Sequence, residues 1–501
     1  MNVASSLAMA ARFFPDRPAA RAEDEEITYL QLESMANRVA TGLMAFGVRP
    51  GDYIGLCAPN SIEWLIIYFG ILKTGAVATT FSYGLQREEL ALLVSHARPR
   101  ILFCHETRLE HFEGLREACG IKRLIATGAE LSLSCLMEKG CNGFTAIERE
   151  RGDTAAVLYT GGTSGIPKGV MLSHENILTS SHNVAYSERS CETDRALCFL
   201  PLNHVFGQIH IMNATIFSCG CVELLGAYDL EKVLSLASSG RITRFYAVPT
   251  IYSRLLTVPD LRGQLGALKY CFSAAASMAS EIVRQWKDQT GLTIYEGYGM
   301  TESASAVTYN HYFEHRVGSV GAPVPGVEVE IRNSSGLRVS PEVEGEICIR
   351  GRNIMNGYLN NPEATHGAFW EGAWFRSGDV GVLDDRGYLY IVDRLKDMII
   401  TGGENVYPRE VEEILFTIPE VRECAVVGLP DREWGEKVTA FIVPHDGKSI
   451  NPTELKSYLR QRISAFKVPK EFLVVDELPK NATGKILKRE IRKQFIETGV
   501  L

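Results

Sequence analysis

Two spacings of apolar residues alternate along the chain. From Tyr29 to Phe46 and from Ser61 to Lys73 they recur at helical intervals, whereas Ile101 to Cys104 is a short unbroken run that predicts a buried strand. Between residues 155 and 300 the runs Ala155 to Tyr159, Ile242 to Val248, Leu268 to Phe272 and Thr293 to Glu296 predict further strands, and Ser280 to Gln289 predicts a helix stopped by Gly291. Small residues follow several of these strands: Gly161-Gly162 after the first, Ser273-Ala274-Ala275-Ala276 after the third, Gly297-Tyr298-Gly299 after the fourth. In open α/β sheets ligands bind beyond the carboxyl ends of strands, so these loops are expected to converge on one site.

The pattern changes near residue 318. Val327-Glu328-Val329-Glu330-Ile331-Arg332 alternates strictly, as a half-solvated strand does, and Glu346 to Ile349 and Tyr388 to Val392 resemble it. Beyond Leu395 the strands Ala425 to Val427, Val438 to Val443 and Phe472 to Val475, with a helix near Thr453 to Arg462, predict a small α+β unit. The expected organisation is α/β: a large N-terminal domain, residues 1–394, of layered sheets and helices with a β-rich subdomain at 318–392, and a small C-terminal domain at 395–501.

A chain of 501 residues with 46% hydrophobic and 22% charged positions has a core large enough to need no disulfide or metal staple. Its formal charge of −8 argues against nucleic acid as the main partner. The 12 cysteines show no CxxC or zinc-ligand spacing. The best membrane candidate, Ile62 to Leu72, is too short to span and contains Glu63. With no basic stretch ahead of an apolar one at the N-terminus, no integral membrane association is expected and a cytoplasmic location is. Nothing in the sequence fixes the oligomeric state; a homodimer is compatible with it.

The strongest local signal is Tyr159-Thr160-Gly161-Gly162-Thr163-Ser164-Gly165-Ile166-Pro167-Lys168-Gly169. Its glycines let backbone N–H groups approach an anion, the hydroxyls of Thr160, Thr163 and Ser164 add donors, and Lys168 supplies a point charge. That chemistry suits polyphosphate; a flexible linker would need neither the preceding apolar strand nor the Pro-Lys-Gly that follows. Pro167 before the lysine rules out a Walker loop, and no strand leads into a G-x-G-x-x-G helix, which disfavours a nicotinamide dehydrogenase.

This segment resembles the phosphate loop of the adenylate-forming superfamily of acyl-CoA synthetases, firefly-type luciferases and peptide-synthetase adenylation domains, with Gly161 in place of the usual serine. Tyr298-Gly299-Met300-Thr301-Glu302, Ser377-Gly378-Asp379, Asp393-Arg394-Leu395-Lys396-Asp397, Gly402-Gly403-Glu404-Asn405-Val406-Tyr407-Pro408 and Pro479-Lys480-Asn481-Ala482-Thr483-Gly484-Lys485 match in order, over essentially the whole chain. The resemblance implies an AMP-forming acid–thiol ligase. ATP activates a carboxylic acid to acyl-AMP with pyrophosphate release, and transfer to coenzyme A then gives acyl-CoA and AMP. The ATP and AMP contacts it implies are Thr160, Gly161, Gly162, Thr163, Ser164, Gly165, Lys168, Glu296, Gly297, Tyr298, Thr301, Asp379, Arg394 and Lys485.

Taken alone, several of these residues have plainer readings: Tyr298 a core tyrosine, Glu302 a solvated loop carboxylate, Asp379 a turn residue, Arg394 half of a surface ion pair. Within the resemblance, Tyr298 offers a face for adenine, Thr301 a donor to the α-phosphate, Glu302 a hard oxygen for Mg²⁺, and Asp379 an acceptor for the ribose hydroxyls. Lys485 bridges the substrate carboxylate and the α-phosphate; an anion attacking an anion needs a cation between them. With Thr301, Glu302 and His204 it makes up the implied catalytic set. His204, in Pro201-Leu202-Asn203-His204, resembles the gate beside the acyl pocket, and is otherwise a core histidine. Phe206, Ala274, Ala275, Gly297 and Gly299 join it there, the small residues suiting either room for substrate or tight packing. Lys396 matches the hinge about which the small domain turns. Gly402, Gly403, Glu404, Trp434 and Phe466 are the implied coenzyme A contacts, the two aromatics being equally readable as small-domain core. The chain ends soon after Lys485 with no carrier domain, which favours free coenzyme A over a carrier-protein pantetheine. A non-catalytic protein binding ATP or acyl-adenylate is expected to lack Lys485, Glu302 or Asp379, and all three are present.

Overall fold

The computed structural model describes residues 1–127, 133–138, 140–160, 167–276, 278–481 and 483–498. The sequence expectation of an α/β body carrying a β-rich subdomain and a small C-terminal unit is met. A nine-stranded sheet has Arg195–Cys198, Arg244–Ala247, Tyr270–Ser273 and Ile294–Tyr298 as successive parallel neighbours. A seven-stranded sheet is built around Tyr53–Cys57, Val77–Thr80, Ile101–His105 and Thr154–Thr160, also parallel.

Helix Ile62–Lys73 explains the longest apolar run. It packs on helix Tyr29–Ala45 and touches strands of both large sheets, so it is buried on every side, Lys73 included. A helix apolar all round belongs inside a protein core or a membrane, and here it is core. Ser61 caps it, accepting from the Trp64 amide at 3.2 Å. Thr28 opens the neighbouring helix in a reciprocal capping box with Gln31. Among the described residues no helix is long and apolar enough to cross a membrane.

The alternating strand Val327–Arg332 pairs with Gly345–Gly351, which pairs with Trp374–Leu383 and through it with Leu389–Arg394. The small domain begins past Arg394, with strand Ile399–Thr401, and is built around the long hairpin Val421–Asp431 and Gly435–Pro444. Lys168 opens a strand, Lys168–Ser173, antiparallel to Thr154–Thr160 with Lys168 opposite Thr160. One expectation is corrected. Strand Ile294–Tyr298 runs through Gly297 and Tyr298, because Thr308–Tyr309 pairs with those two residues.

Candidate active site

The loops converge. One cavity of about 980 Å³ lies between the large and small domains, lined by Thr160, Lys168, His204, Tyr298, Thr301, Glu302, Asp379, Arg394 and Lys485. Phe206, Ala274, Ala275, Gly297, Gly299 and Lys396 line it as well. Gly161, Gly162, Thr163, Ser164 and Gly165 lie outside the described residues.

Three elements fix the nucleotide end. The register of the β-rich subdomain sets Asp379 directly opposite Arg394, and the Arg394 Nε reaches Asp379 Oδ1 at 3.2 Å. The Tyr298 hydroxyl donates to Asp379 Oδ2 at 2.6 Å. The Asp379 amide donates to Ser377 Oγ at 3.0 Å, which pins the turn. Asp379 is thus a carboxylate already aimed by two partners.

Glu302 sits across the cavity. Its Oε1 accepts from the Tyr358 hydroxyl at 2.9 Å, and the Lys168 ammonium lies 4.6 Å above the Tyr358 ring. Burial raises the Glu302 carboxyl above its usual range, while the Tyr358 hydrogen bond and the Lys168 and Arg394 charges oppose the rise. A buried carboxylate with a nearby cation and an unshared oxygen fits a hard divalent cation that keeps phosphate ligands. The sequence reading did not single out Tyr358. Its strand, Gly357–Tyr358, pairs with the Lys168 strand, a long-range pairing with no local trace.

Lys485 enters from the small domain on a tight loop. Asn481 Oδ1 accepts from the amides of Thr483 and Lys485, and the Asn481 amide returns a bond to the Lys485 carbonyl. Gly484, at φ 86°, lets this loop touch the large domain: Thr250 Oγ1 donates to the Gly484 carbonyl at 3.3 Å, and a Cβ on Gly484 would lie 3.1 Å from Val248. Burial pushes the Lys485 ammonium down to about 7; the Arg394 guanidinium adds to this, and Asp379 and Asp397 oppose it. His204 is held down to about 4 by burial first and the Lys485 charge second, so it is neutral at pH 7. Its Nδ1 accepts from the Phe206 amide at 3.2 Å, which leaves the proton on Nε2.

Several expectations change. The Glu296 side chain is not at the cavity. Its carboxyl is buried with Oε2 unpartnered, near Arg409 and Glu413 of the small domain, and burial raises it to about 8. The reason is the extended strand: the sheet continues through Gly297 and Tyr298, and Glu296 takes its alternate, inward position. Gly297 and Gly299 line the cavity, but packing demands them. A Cβ on Gly297 would meet Phe272 at 2.6 Å, and one on Gly299 would overlap the Ser305 carbonyl. Gly402 and Gly403, both at positive φ, form the two-residue turn between strands Ile399–Thr401 and Glu404–Val406, away from the cavity. Trp434 packs on Gly402, with Lys470 over its ring, whereas Phe466 packs against the small-domain core. The structure therefore brings Lys485 to the site and leaves Gly402, Gly403, Glu404, Trp434 and Phe466 outside it.

Comparison with known proteins agrees with this geometry. Residues 7–359 match the family model of AMP-binding enzymes, and residues 410–485 match that of the AMP-binding enzyme C-terminal domain. A feruloyl-CoA synthase of an Amycolatopsis species is 36% identical over 495 residues, 97% of each chain. The crystal structure of ATP-bound MatB from Rhodopseudomonas palustris superposes with a TM-score of 0.93 at 33% identity, covering 99% of each chain. The anthranilate CoA ligase AuaEII, in complex with anthranoyl-AMP, superposes with a TM-score of 0.93 at 29% identity, covering 98% of this chain and 97% of that one. With both halves matched and the lysine-bearing loop closed over the nucleotide end, the chain belongs to the AMP-binding enzyme family, as an adenylate-forming acyl-CoA ligase that makes an acyl-AMP and then transfers the acyl group to coenzyme A.

Proposed function

We propose that this ligase activates a carboxylic acid bearing a flat ring, with Lys485, Lys168, Thr301, Asp379 and Arg394 handling the nucleotide and His204 standing beside the reacting carboxylate. One observation carries the ring: the inner wall of the cavity is aromatic. The Phe206 and His210 ring centroids are 5.0 Å apart, His210 and Phe272 4.6 Å, Phe272 and Tyr309 5.0 Å, all four residues nearly unexposed. Such a wall presents ring edges and faces that a substrate ring can meet edge-to-face or offset-stacked, and gives an alkyl chain little beyond area. The named aromatic acids of two similar proteins, ferulate and anthranilate, support the same reading.

In the first step a carboxylate oxygen attacks the α-phosphorus, and the bond to the bridging oxygen breaks as pyrophosphate leaves. Lys485 in its ammonium form lies between the two anions, and Lys168 draws charge from the departing phosphates. Glu302 is the residue that would hold Mg²⁺, which would neutralise phosphate charge. Asp379, steadied by Tyr298 and Arg394, accepts from the ribose hydroxyls. Neutral His204 adds no charge beside the substrate carboxylate, so Lys485 has no competitor for it. In the second step the coenzyme A thiolate attacks the acyl carbonyl and AMP leaves. The small domain turns about Lys396 to withdraw Lys485 and bring in Gly402, Gly403 and Glu404.

The test is ATP–pyrophosphate exchange across short aliphatic, medium-chain aliphatic, cyclohexane-type, benzoic and phenylpropenoic acids, each repeated with coenzyme A. The benzoic and phenylpropenoic acids are expected to support exchange and to yield thioester. Exchange confined to aliphatic acids would refute the ring.

A further inference from the structure

Behind the aromatic wall lies a buried polar chain that the adenylation step does not use. Arg244 Nε meets Asp194 Oδ2 at 2.7 Å, and its Nη1 meets Glu188 Oε2 at 3.3 Å. Glu188 also accepts from the Tyr246 hydroxyl at 2.5 Å and the Tyr309 hydroxyl at 3.1 Å. Glu188 Oε1 lies 2.9 Å from His210 Nε2, and His210 Nδ1 lies 3.1 Å from Ser305 Oγ. His210, Tyr309 and Ser305 line the cavity; Glu188, Asp194 and Arg244 do not.

The donor directions follow from chemistry. A carboxylate with this many donors around it is an acceptor, so the His210 Nε2 carries a proton and donates it to Glu188. In the tautomer with its proton on Nε2, Nδ1 is an acceptor and the Ser305 hydroxyl donates to it. The Ser305 proton is committed, while its lone pairs are not: among the described residues no donor reaches Ser305 Oγ. The charge points the same way. Two carboxylates, Glu188 and Asp194, lie behind this wall and share one guanidinium, Arg244, while Lys168 lies at the other end of the cavity with Glu302 and Tyr358.

The backbone is specialised at the same place. Phe206–Asn213 is a π-helical turn, a rare form frequent at functional sites, and it sets Phe206 and His210 side by side. Ala304 and Ser305 hold positive φ of 49° and 95°, a strained conformation for residues with a side chain.

We propose that the acid carries a neutral hydrogen-bond donor, a hydroxyl or amino group, on the part of its ring remote from the carboxylate. Ser305 Oγ receives that donor, and His210 and Glu188 are positioning residues that hold the serine proton away from it. The inference rests on the ligase reading above. A second carboxylate at the remote position meets an acceptor with the carboxylates of Glu188 and Asp194 behind it, and is rejected. A site built to pair a substrate donor discriminates strongly against the analogue that lacks it, because its own acceptor is left dry.

The experiment is ATP–pyrophosphate exchange with matched benzoic and phenylpropenoic acids, each unsubstituted, para-hydroxylated, para-aminated or para-carboxylated. The hydroxylated or aminated member is expected to exceed the unsubstituted one by about 10–100-fold in kcat/KM, and the carboxylated one to fall below both. Ser305→Ala is expected to collapse that ratio towards one, mainly through KM. His210→Gln, which keeps an amide donor for Glu188, is expected to reduce the ratio as well. Exchange with the unsubstituted acids as efficient as with their hydroxylated and aminated partners would overturn the inference and leave the ligase reading standing. A wild-type ratio retained in Ser305→Ala would overturn the assignment to Ser305. Exchange with no carboxylic acid at all would overturn both readings.

Discussion

The two ends of the cavity are built on opposite plans. At the nucleotide end cations outnumber their partners: Lys168, Lys485 and Arg394 face a space shared with Asp379 and Glu302, and burial, with the Arg394 charge added, holds Lys485 down to about 7. At the acyl end each charge has a protein partner, Asp194 to Arg244 to Glu188 to His210. The first end is completed by its ligand, which brings the missing negative charge. The second is assembled by the protein's own hydrogen bonds, and in the proposal above it offers Ser305 Oγ as an acceptor that no donor reaches among the described residues. Affinity at one end is therefore electrostatic and coupled to protons, while selectivity at the other is a matter of hydrogen-bond direction.

The sharpest way to break this contrast is Lys485→Ala. It is expected to lower adenylation by about 10²–10³-fold while thioester formation from supplied acyl-AMP persists, since the proposed mechanism uses the lysine only in the first half-reaction. Equal loss of both half-reactions, measured separately by pyrophosphate exchange and thioester release, would erase the division of labour. Next in size is Asp379→Asn, expected to raise the KM for ATP by about 10–100-fold through loss of a charged acceptor. The ratio between hydroxylated and unsubstituted acids should stay as in wild type. A shift in that ratio would mean that the two ends are not independent.

A smaller effect is the proton itself. Lys485 titrates near 7 in the free enzyme and is held protonated by a bound triphosphate, so ATP binding at pH 8 takes up a proton. ATP affinity should fall as pH rises above about 7, by up to about tenfold per pH unit. Calorimetry in buffers of different ionisation heat should show uptake in wild type and none in Lys485→Met.

The smallest concerns Glu296, which adjoins the nucleotide strand without facing the nucleotide. Its carboxyl rises from 4.5 to about 8 on burial, so the folded state holds that proton more tightly than the unfolded chain. The sign is fixed: stability is full below 4.5 and declines as pH climbs towards 8. Glu296→Gln should therefore gain roughly 2–5 °C in Tm at pH 8, with the gain vanishing near pH 4.5, and move the KM for ATP less than twofold.

The same contrast explains what the sequence could reveal. The nucleotide end is written in short contiguous motifs, because a phosphate loop, a ribose carboxylate and a lysine loop are each local backbone devices. Asp379, Arg394, Thr301, Glu302 and Lys485 were all singled out from such motifs, and all five line the cavity. The acyl end is made by tertiary contact. His210 and Glu188 are separated by 22 positions, His210 and Ser305 by 95, and no spacing rule joins them. The π-turn was equally hidden, since Phe206 to Asn213 is buried throughout and carries no alternation to betray its pitch. Glu296 was misplaced for a related reason. Where a strand stops is decided by its neighbour, here Thr308–Tyr309, and so therefore is the face on which the residue before Gly297 lies. Trp434 and Phe466 shared one motif-level reading, and only packing separates an aromatic on a turn from one in a core.

Arg394 is the last residue of its strand, paired across the sheet with Asp379, and the next residues, Leu395 to Met398, lead into the small domain. The Arg394 carbonyl accepts from the amides of Asp397 and Met398. In mechanical terms the Asp379–Arg394 pair is an anchor: a side chain on one strand of the large domain holds the residue from which the chain departs towards the small one, so any displacement of the small domain is levered from a fixed point.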